Sequence, residues 1–259
     1  MKKKYLKISQ SSFSLFEKCS KGFEWQFIDE IPFDCGADNI YSVFGTSFHK
    51  AIELHEKFKL TCDELINGWK TLFLSIFLEA KFLQDKDYEL KEKYVNLGRH
   101  FLVNAFSMKE RWKNYKTIDI EKYVKIVFEN KFMQNVFLTG KIDLILKDSD
   151  TYVCLDWKTS KHKDNKIDLN DQLTFYIFFM HTMLHDVSLR QIYGSLAYPY
   201  DKEILFTQRT QEDIEKLFVR INMMLERINC NDFKKEPKLN FRHDDCFFCP
   251  YKKRCENVD

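Results

Sequence analysis

The amino-acid sequence predicts a mixed α/β (α+β) fold in which helices flank a central mixed sheet. Two observations predict this class. Apolar residues recur at helical spacing through the first part of the chain, and the pattern changes near residue 119 to short segments rich in Val, Ile and Tyr. Only 7 glycines and 4 prolines occur among the 259 residues, so regular structure should be dense.

The first part of the chain is expected to be helical. Phe13, Phe16 and Phe23 recur at helix-like spacing. Ser11 or Ser12 can cap the helix that carries them, because a serine hydroxyl accepts a hydrogen bond from a free amide of the first turn. Helices are predicted over residues 11–27, 46–58, 63–83 and 89–115, with a loop at 29–39.

The second part of the chain is expected to form the sheet. The polar run from Lys147 to Asp150 is typical of a hairpin turn between two strands. The C-terminal tail carries Pro237, Pro250 and several cysteines, which predicts irregular structure. Strands are predicted over residues 119–128, 137–147, 151–157, 189–198 and 203–207, and helices over 169–185 and 211–228.

Charge and hydropathy exclude several classes of protein. The chain has 41 Lys and Arg against 39 Asp and Glu, and 44% of its residues are hydrophobic, which excludes a disordered chain. No run of about 18 apolar residues occurs, so no transmembrane helix is expected. The residues after the basic N-terminus are too polar for a signal peptide. We therefore expect a cytoplasmic protein, without a membrane contact, whose eight cysteines stay out of disulfides.

One group of charged residues predicts a metal site on the sheet. Asp156 and Lys158 are two residues apart on a predicted strand, so they share a face, and a hairpin through Ser149 would bring Asp143 alongside them. Two close carboxylates repel each other, and a hard divalent cation relieves that repulsion. Mg²⁺ typically binds one or two carboxylates together with a substrate phosphate. The alternative is an Asp–Lys pair on a solvated strand face.

Two further motifs accompany these residues. His49 follows Gly45 near the start of a predicted helix, and Gln172 and Tyr176 are spaced i, i+4 on one helix face. The ordered set G-x-x-x-H, G-x-x-D, D-x-K and Q-x-x-x-Y resembles the RecB-like exonuclease branch of the PD-(D/E)XK nuclease superfamily. The resemblance extends from Ser12 to the last cysteine. Position 156 is Asp here, whereas many members of that branch carry Glu.

The resemblance implies a restriction-endonuclease-like fold and a role for each motif residue. The side chains of His49, Asp143 and Asp156, with the main-chain carbonyl of Trp157, would bind one or two Mg²⁺ or Mn²⁺ ions. Lys158 would position the attacking water. The implied catalytic residues are Asp143, Asp156, Lys158, Gln172 and Tyr176, of which the last two would hold the geometry of the site or the nucleic-acid strand. Glu121 is a weaker candidate for an acidic residue on the first strand.

The C-terminal tail carries three clustered cysteines with the spacing C-x₂-C-x₅-C, namely Cys246, Cys249 and Cys255. Clustered thiols in a reducing compartment favour metal binding, and a closed site needs a fourth ligand. Cys19 is the best candidate, because its segment resembles the N-terminal cysteine segment of the same nuclease branch. The spacing leaves zinc and iron–sulfur open. In the RecB-like branch, including CRISPR adaptation nucleases and the AddB nuclease subunit, such cysteines hold a 4Fe–4S cluster. Ser20 stands where these relatives usually have Pro.

These expectations define a domain plan and a function. We expect one nuclease domain over residues 1–259, with a helical lobe at 46–116, a catalytic sheet core at 117–230, and a cluster-binding lobe formed by 1–30 and 231–259. The resemblance implies a metal-dependent DNA exonuclease of bacterial, archaeal or viral origin. It would act on single-stranded DNA or DNA ends with little sequence specificity, in recombination, CRISPR adaptation or viral DNA processing, with a helicase or CRISPR integrase as partner. The alternatives are a structure-specific endonuclease with a zinc staple and a non-catalytic nucleic-acid-binding adaptor.

Overall fold

The structure is a computed structural model that describes residues 5–33, 38–82, 85–161, 166–234 and 249–256. The chain forms two compact units, each built from several segments. The first unit comprises Met1–Cys35, Tyr123–Lys141 and Arg209–Asp259, and the second comprises Gly36–Lys122 and Ile142–Gln208. The second unit contains the expected helical lobe together with most of the expected sheet core. The first unit contains both segments of the expected cluster-binding lobe.

The second unit combines a helical layer with a sheet. Its helices are α3 (Ile40–Phe58), α4 (Cys62–Glu79), α5 (Lys86–Glu89), α6 (Lys91–Lys109) and α7 (Asp171–Met183). Its strands are the first part of β2 (Lys116–Val127), the second part of β3 (Val136–Asp148), β4 (Thr151–Trp157), β5 (Ile192–Tyr198) and β6 (Glu203–Thr207). The apolar faces of α3, α4 and α6 bury a core with the sheet that is centred on aromatic residues such as Phe44, Trp69 and Phe101.

The sheet is mixed, as the sequence predicted. Strands β3 and β4 form an antiparallel hairpin, β4 and β5 are parallel, and β5 and β6 are antiparallel, while β2 also pairs with β3. The parallel pair needs a crossover connection, which α7 supplies. Helix α7 lies close against β5 because position 194 is a glycine: a Cβ there would lie 2.9 Å from Leu173 Cβ. Helices flanking a mixed central sheet are consistent with the restriction-endonuclease-like fold.

The first unit contains α1 (Gln10–Lys18), α2 (Ser20–Phe23), a π-helical turn (Glu24–Ile28), α8 (Gln211–Asn229) and the short α9 (Lys252–Glu256). In the same unit β1 (Leu6–Ile8) pairs in parallel with the first residues of β3. The apolar face of α8 is buried, including Leu217 and Ile221, and Arg220 pairs with Glu17 of α1. The tail segment contacts the N-terminal segment, because Tyr251 packs on Trp25 with a ring separation of 5.6 Å.

Strand β1 was not predicted, and three other elements differ from expectation. The helix expected over 11–27 is interrupted at Cys19, which has an extended backbone and caps α2 instead. Helix α3 begins at Ile40, well before residue 46, because Asn39 and Ser42 form a capping box. The tail, expected to be irregular, contains α9. Among the described residues, no helix is long and apolar enough to cross a lipid bilayer.

Candidate active site

The hairpin of β3 and β4 brings Asp143 next to the Asp156–Lys158 segment, as the sequence predicted. Leu144 pairs with Leu155 across the hairpin, and the turn at Ser149 has a left-handed φ of 50°. The carboxylate of Asp143 reaches the end of β4, where its Oδ2 accepts a hydrogen bond of 2.8 Å from the backbone amide of Trp157. Two acidic residues that are distant in sequence therefore lie at one end of the sheet.

The side chains of β4 alternate between the two faces of the sheet. The Trp157 ring points into the helical core, where its centroid lies 6.1 Å from that of Phe48 and 5.7 Å from that of Trp112. Asp156 points to the other face and is buried, with 3% of its surface exposed. The buried anchor at Trp157 thus holds Asp156 and Lys158 on the face that α7 covers.

Helix α7 supplies Gln172 and Tyr176 to a hydrogen-bond network around Asp156. Asn170 caps this helix by accepting a hydrogen bond from the amide of Leu173. Gln172 Nε2 donates to Asp156 Oδ1 at 2.6 Å and to the Tyr176 hydroxyl at 2.8 Å. The Tyr176 hydroxyl also donates to Asp156 Oδ1, at 3.3 Å. The i, i+4 spacing therefore places both polar groups on one carboxylate oxygen.

Lys158 completes this network. Its Nζ donates to Gln172 Oε1 at 2.6 Å and lies 2.7 Å from Asp156 Oδ2. The contact with Asp156 is an ion pair without hydrogen-bond geometry, since Asp156 Oδ2 accepts no hydrogen bond within the described part of the chain. About 29% of the Lys158 side chain is exposed, whereas 5% of the Asp156 side chain is. The ammonium group can therefore reach both the buried carboxylate and solvent.

Asp156 Oδ2, which is paired with the Lys158 ammonium group, also fits a metal ligand. Burial raises the pKa of Asp156, and the neighbouring charge of Asp143 raises it further, while Lys158 opposes both effects. Burying a carboxylate is costly unless it is paired or binds a metal ion. Its position beside a second carboxylate is the arrangement that a hard divalent cation stabilises.

A second set of groups converges on Asp143. The ligand atoms of His49, Glu121 and Asp143 all lie within 4.8 Å of one another. His49 Nδ1 is 3.1 Å from Asp143 Oδ2. Burial alone would lower the pKa of His49, but the charges of Asp143, Asp156 and Glu121 outweigh burial and raise the pKa to about 9. The imidazole is therefore a proton-bearing partner of Asp143 in the metal-free protein.

Glu121 belongs to this group although the sequence favoured it only weakly. It lies within β2, where its backbone has a left-handed φ of 53°. A non-glycine residue with positive φ interrupts the regular strand and changes the direction of its side chain, as in a β-bulge. No alternating pattern in the sequence reveals such a break, so Glu121 had no distinguishing signal beyond its charge and its place on the first long strand.

Of the four cysteines that the sequence singled out as cluster ligands, the three that the structure describes belong to the first unit. Cys19 Sγ accepts a hydrogen bond of 3.3 Å from the amide of Gly22, and Cys249 and Cys255 lie on the tail segment. Cys246 lies outside the described residues. Within the described ranges, the sulfurs of Cys19, Cys249 and Cys255 do not form a group in which all lie within 4.8 Å of one another.

The chain is similar to known proteins in sequence and in fold. The family model of the PD-(D/E)XK nuclease superfamily matches residues 7–256. A solved structure of a candidate exonuclease from Eubacterium rectale has a TM-score of 0.50 and 11% identity, with 91% of this chain and 85% of that chain covered. Protein VC1899 from Vibrio cholerae has a TM-score of 0.25 and 10% identity, with 86% and 57% covered. No curated protein sequence matches the chain. Since the family model spans nearly all of the sequence, the chain belongs to the PD-(D/E)XK nuclease superfamily.

Proposed function

We propose that the chain is a metal-dependent DNA exonuclease that hydrolyses phosphodiester bonds in single-stranded DNA or at DNA ends. The observation that carries the proposal is the buried Asp156, whose Oδ2 accepts no hydrogen bond and lies beside Lys158 and Asp143. PD-(D/E)XK nucleases usually use Mg²⁺ or Mn²⁺, and the oxygen-rich set of groups around Asp143 suits these ions.

The groups that would hold one or two metal ions are His49, Asp143, Asp156 and the carbonyl of Trp157. Glu121 offers a further carboxylate in the same group. A bound divalent cation would activate water and neutralise negative charge on the phosphate. His49 would give up its proton on ligating, because only the neutral imidazole can bind a metal.

Lys158 has the geometry to act on the attacking water and on developing negative charge. Its ammonium group is held between Gln172 Oε1 and Asp156 Oδ2 and remains partly exposed. A fixed cation at a desolvated site stabilises a transition state without reorganising during the reaction. Gln172 and Tyr176 act as positioning residues, because both bind Asp156 Oδ1 and leave Oδ2 to Lys158 and to a metal ion.

The name of the Eubacterium rectale protein supports an exonuclease reading for this chain. Recombination, CRISPR adaptation or viral DNA processing would use such an activity, with a helicase or integrase as a separate partner chain. Time courses with 5′- and 3′-labelled single and double strands, in Mg²⁺ or Mn²⁺, test the proposal. We expect progressive shortening of linear DNA that EDTA abolishes, while a closed single-stranded circle survives. Cutting of the circle would identify an endonuclease, and binding without cleavage of any substrate would identify an adaptor.

We further propose a 4Fe–4S cluster held by Cys19, Cys246, Cys249 and Cys255. The tail segment packs against the N-terminal segment, where the Tyr251 hydroxyl donates to Ile31 O at 3.0 Å, so the chain ends that carry these thiols are joined. Zinc is the weaker occupant. The spacing of the thiols suits either zinc or an iron–sulfur cluster, and the resemblance to the RecB-like branch favours the cluster.

Analysis of iron and sulfide in anaerobically purified protein tests the cluster. We expect a brown protein whose visible absorbance is lost in Cys249→Ser and retained in Cys230→Ser, a variant of an exposed cysteine at the end of α8. Colourless protein with stoichiometric zinc would contradict the iron–sulfur assignment and leave the nuclease proposal intact.

A further inference from the structure

Lys161 and Tyr200 form a cation–π pair at the same end of the sheet as the candidate active site. Lys161 Nζ lies 4.9 Å from the centroid of the Tyr200 ring. Strands β4 and β5 are parallel, and the amide of Lys158 extends their pairing by donating to Ala197 O at 2.8 Å. Lys161 is three residues beyond Lys158, and Tyr200 is three residues beyond Ala197. Each therefore lies at most about 10 Å from the residue that ends its strand pairing.

The Tyr200 ring is held in place by α6. Its centroid lies 6.1 Å from that of Phe101, which is fully buried. The preceding carbonyl, that of Pro199, accepts a hydrogen bond of 2.8 Å from Nδ2 of the buried Asn104. Tyr200 nevertheless keeps 36% of its surface exposed. A rigid aromatic side chain with an open face loses little conformational entropy when a ligand binds to it.

The chemistry of the pair matches an unpaired nucleotide. Every nucleobase has a π-face that can stack on an aromatic ring, and this stacking tolerates any sequence. A lysine on a flexible stem is a mobile point charge that can leave a ring for a phosphate. The exposed Lys202 lies in the same turn as Tyr200 and adds positive charge to it. An aromatic platform with a mobile cation thus lies at the same end of the sheet as the groups proposed to cleave the backbone.

We propose that Tyr200 and Lys161 form a stacking subsite for one unpaired base of the DNA strand, beside the phosphate that is cleaved. The base stacks on the Tyr200 ring, and Lys161 moves from the ring to the neighbouring phosphate. This inference rests on the proposed nuclease function and deepens it, because it commits the substrate to single-stranded DNA or to a frayed end. A fully paired blunt end presents no free base face to the ring.

Binding measured without cleavage tests the subsite separately from the nuclease activity. The probe is a single-stranded oligonucleotide that carries 2-aminopurine near its end, titrated in EDTA. We expect the fluorescence of the wild-type complex to be quenched on binding. In Tyr200→Leu the quenching should be lost, and the Kd should rise roughly 5- to 150-fold. Tyr200→Phe, which keeps the ring, should bind like the wild type. Tyr88→Leu, at a similarly exposed tyrosine on α5, is the matched control and should also bind like the wild type.

Lys161→Gln gives a second readout that leaves the contact of Tyr200 with Phe101 in place, since Lys161 is exposed. Loss of one phosphate contact should lower the slope of log Kd against log salt by about one. The proposal is overturned if Tyr200→Leu binds and quenches like the wild type, or if Lys161→Gln leaves the salt slope unchanged. Either result would leave the proposed nuclease standing if the wild type cleaves linear DNA.

Discussion

Asp143 Oδ2 accepts a hydrogen bond of 2.8 Å from the backbone amide of Trp157, one residue past the carboxylate of Asp156. This bond fixes the separation of the two carboxylates through the backbone of β4. Its position depends on the Trp157 ring, which is buried among Phe48 and Trp112. The geometry of the candidate site is therefore held by the apolar core on the other face of the sheet.

Asp156 is expected to cost the metal-free protein stability. A carboxyl group whose pKa is raised by folding binds its proton more tightly in the folded state, so its contribution to stability falls as pH rises above the unfolded value near 3.8. Asp156→Asn should therefore show an equal or larger free energy of unfolding at pH 7 in EDTA, measured by urea denaturation. The control Asp150→Asn, in the exposed hairpin turn, should stay within about 0.5 kcal/mol of the wild type. A marked loss of stability in Asp156→Asn alone would contradict this account.

Gln172 is expected to position Asp156 and Lys158. Gln172→Met removes hydrogen bonds to both groups and to Tyr176 while keeping a similar side-chain length. Partners of metal ligands typically contribute about 10- to 100-fold in metal affinity or activity, and we expect a loss of that size. Titration of activity with Mn²⁺ will separate a weaker metal affinity from a lower kcat. Gln211→Met, at the exposed start of α8, is the control. Unchanged activity and Mn²⁺ affinity in Gln172→Met would rule out the positioning role.

The His49–Asp143 pair makes the stability of the metal-free protein depend on pH. The pKa of His49 is about 9 in the folded chain against an ordinary value of 6.5. A raised histidine pKa gives a stabilising contribution that is complete below pH 6.5 and is lost as pH rises through 9. In EDTA the wild type should therefore lose more stability than His49→Gln between these two pH values. If the free energies of unfolding of the two proteins changed with pH in parallel, the His49–Asp143 pair would be absent.

Mn²⁺ is expected to compete with the proton on His49. Ligation needs the neutral imidazole, so Mn²⁺ affinity should rise with pH up to about 9 in the wild type. The same dependence in His49→Gln would assign the released proton to another group.

Gly98 is required where α6 crosses α4. A Cβ at this position would lie 2.0 Å from two carbons of the Trp69 ring. The ring cannot easily move, because it is fully buried and its Nε1 donates to Val95 O at 2.8 Å. Gly98→Ala should cost about 3 kcal/mol through overpacking. Gly68→Ala is the matched control: its Cβ meets no atom within 4 Å, so it should stabilise α4 by up to about 1 kcal/mol. Thermal unfolding that shifts both variants in the same direction would contradict this packing.

The sequence predicted the sheet and its hairpin because their signals are local. The alternation through Leu155, Asp156 and Trp157 assigns each side chain to a face, and the turn at Ser149 lies between two apolar runs. Strand β1 was missed because it has three residues and pairs with residues 136–138, far along the chain. Nothing local distinguishes so short a segment from a loop.

The sequence likewise predicted the site residues that follow a regular spacing and favoured Glu121 only weakly. Asp143, Asp156, Lys158, Gln172 and Tyr176 follow regular strand and helix spacing, and the structure brings them together. Glu121 joins His49 and Asp143 through a left-handed backbone residue within β2. A left-handed residue within a strand leaves no mark in the alternating pattern of side chains, so periodicity could not reveal it.

Single-turnover cleavage of an end-labelled single strand in Mn²⁺ tests the central claim most directly. We predict that the wild type cleaves, and that Asp143→Asn, Asp156→Asn and Lys158→Met each lose about 10²- to 10³-fold or more in rate. The folded state of each variant is checked by its unfolding transition, and Lys70→Met, at an exposed position on α4, serves as the control. Cleavage at the wild-type rate by Asp156→Asn and Lys158→Met would contradict the account.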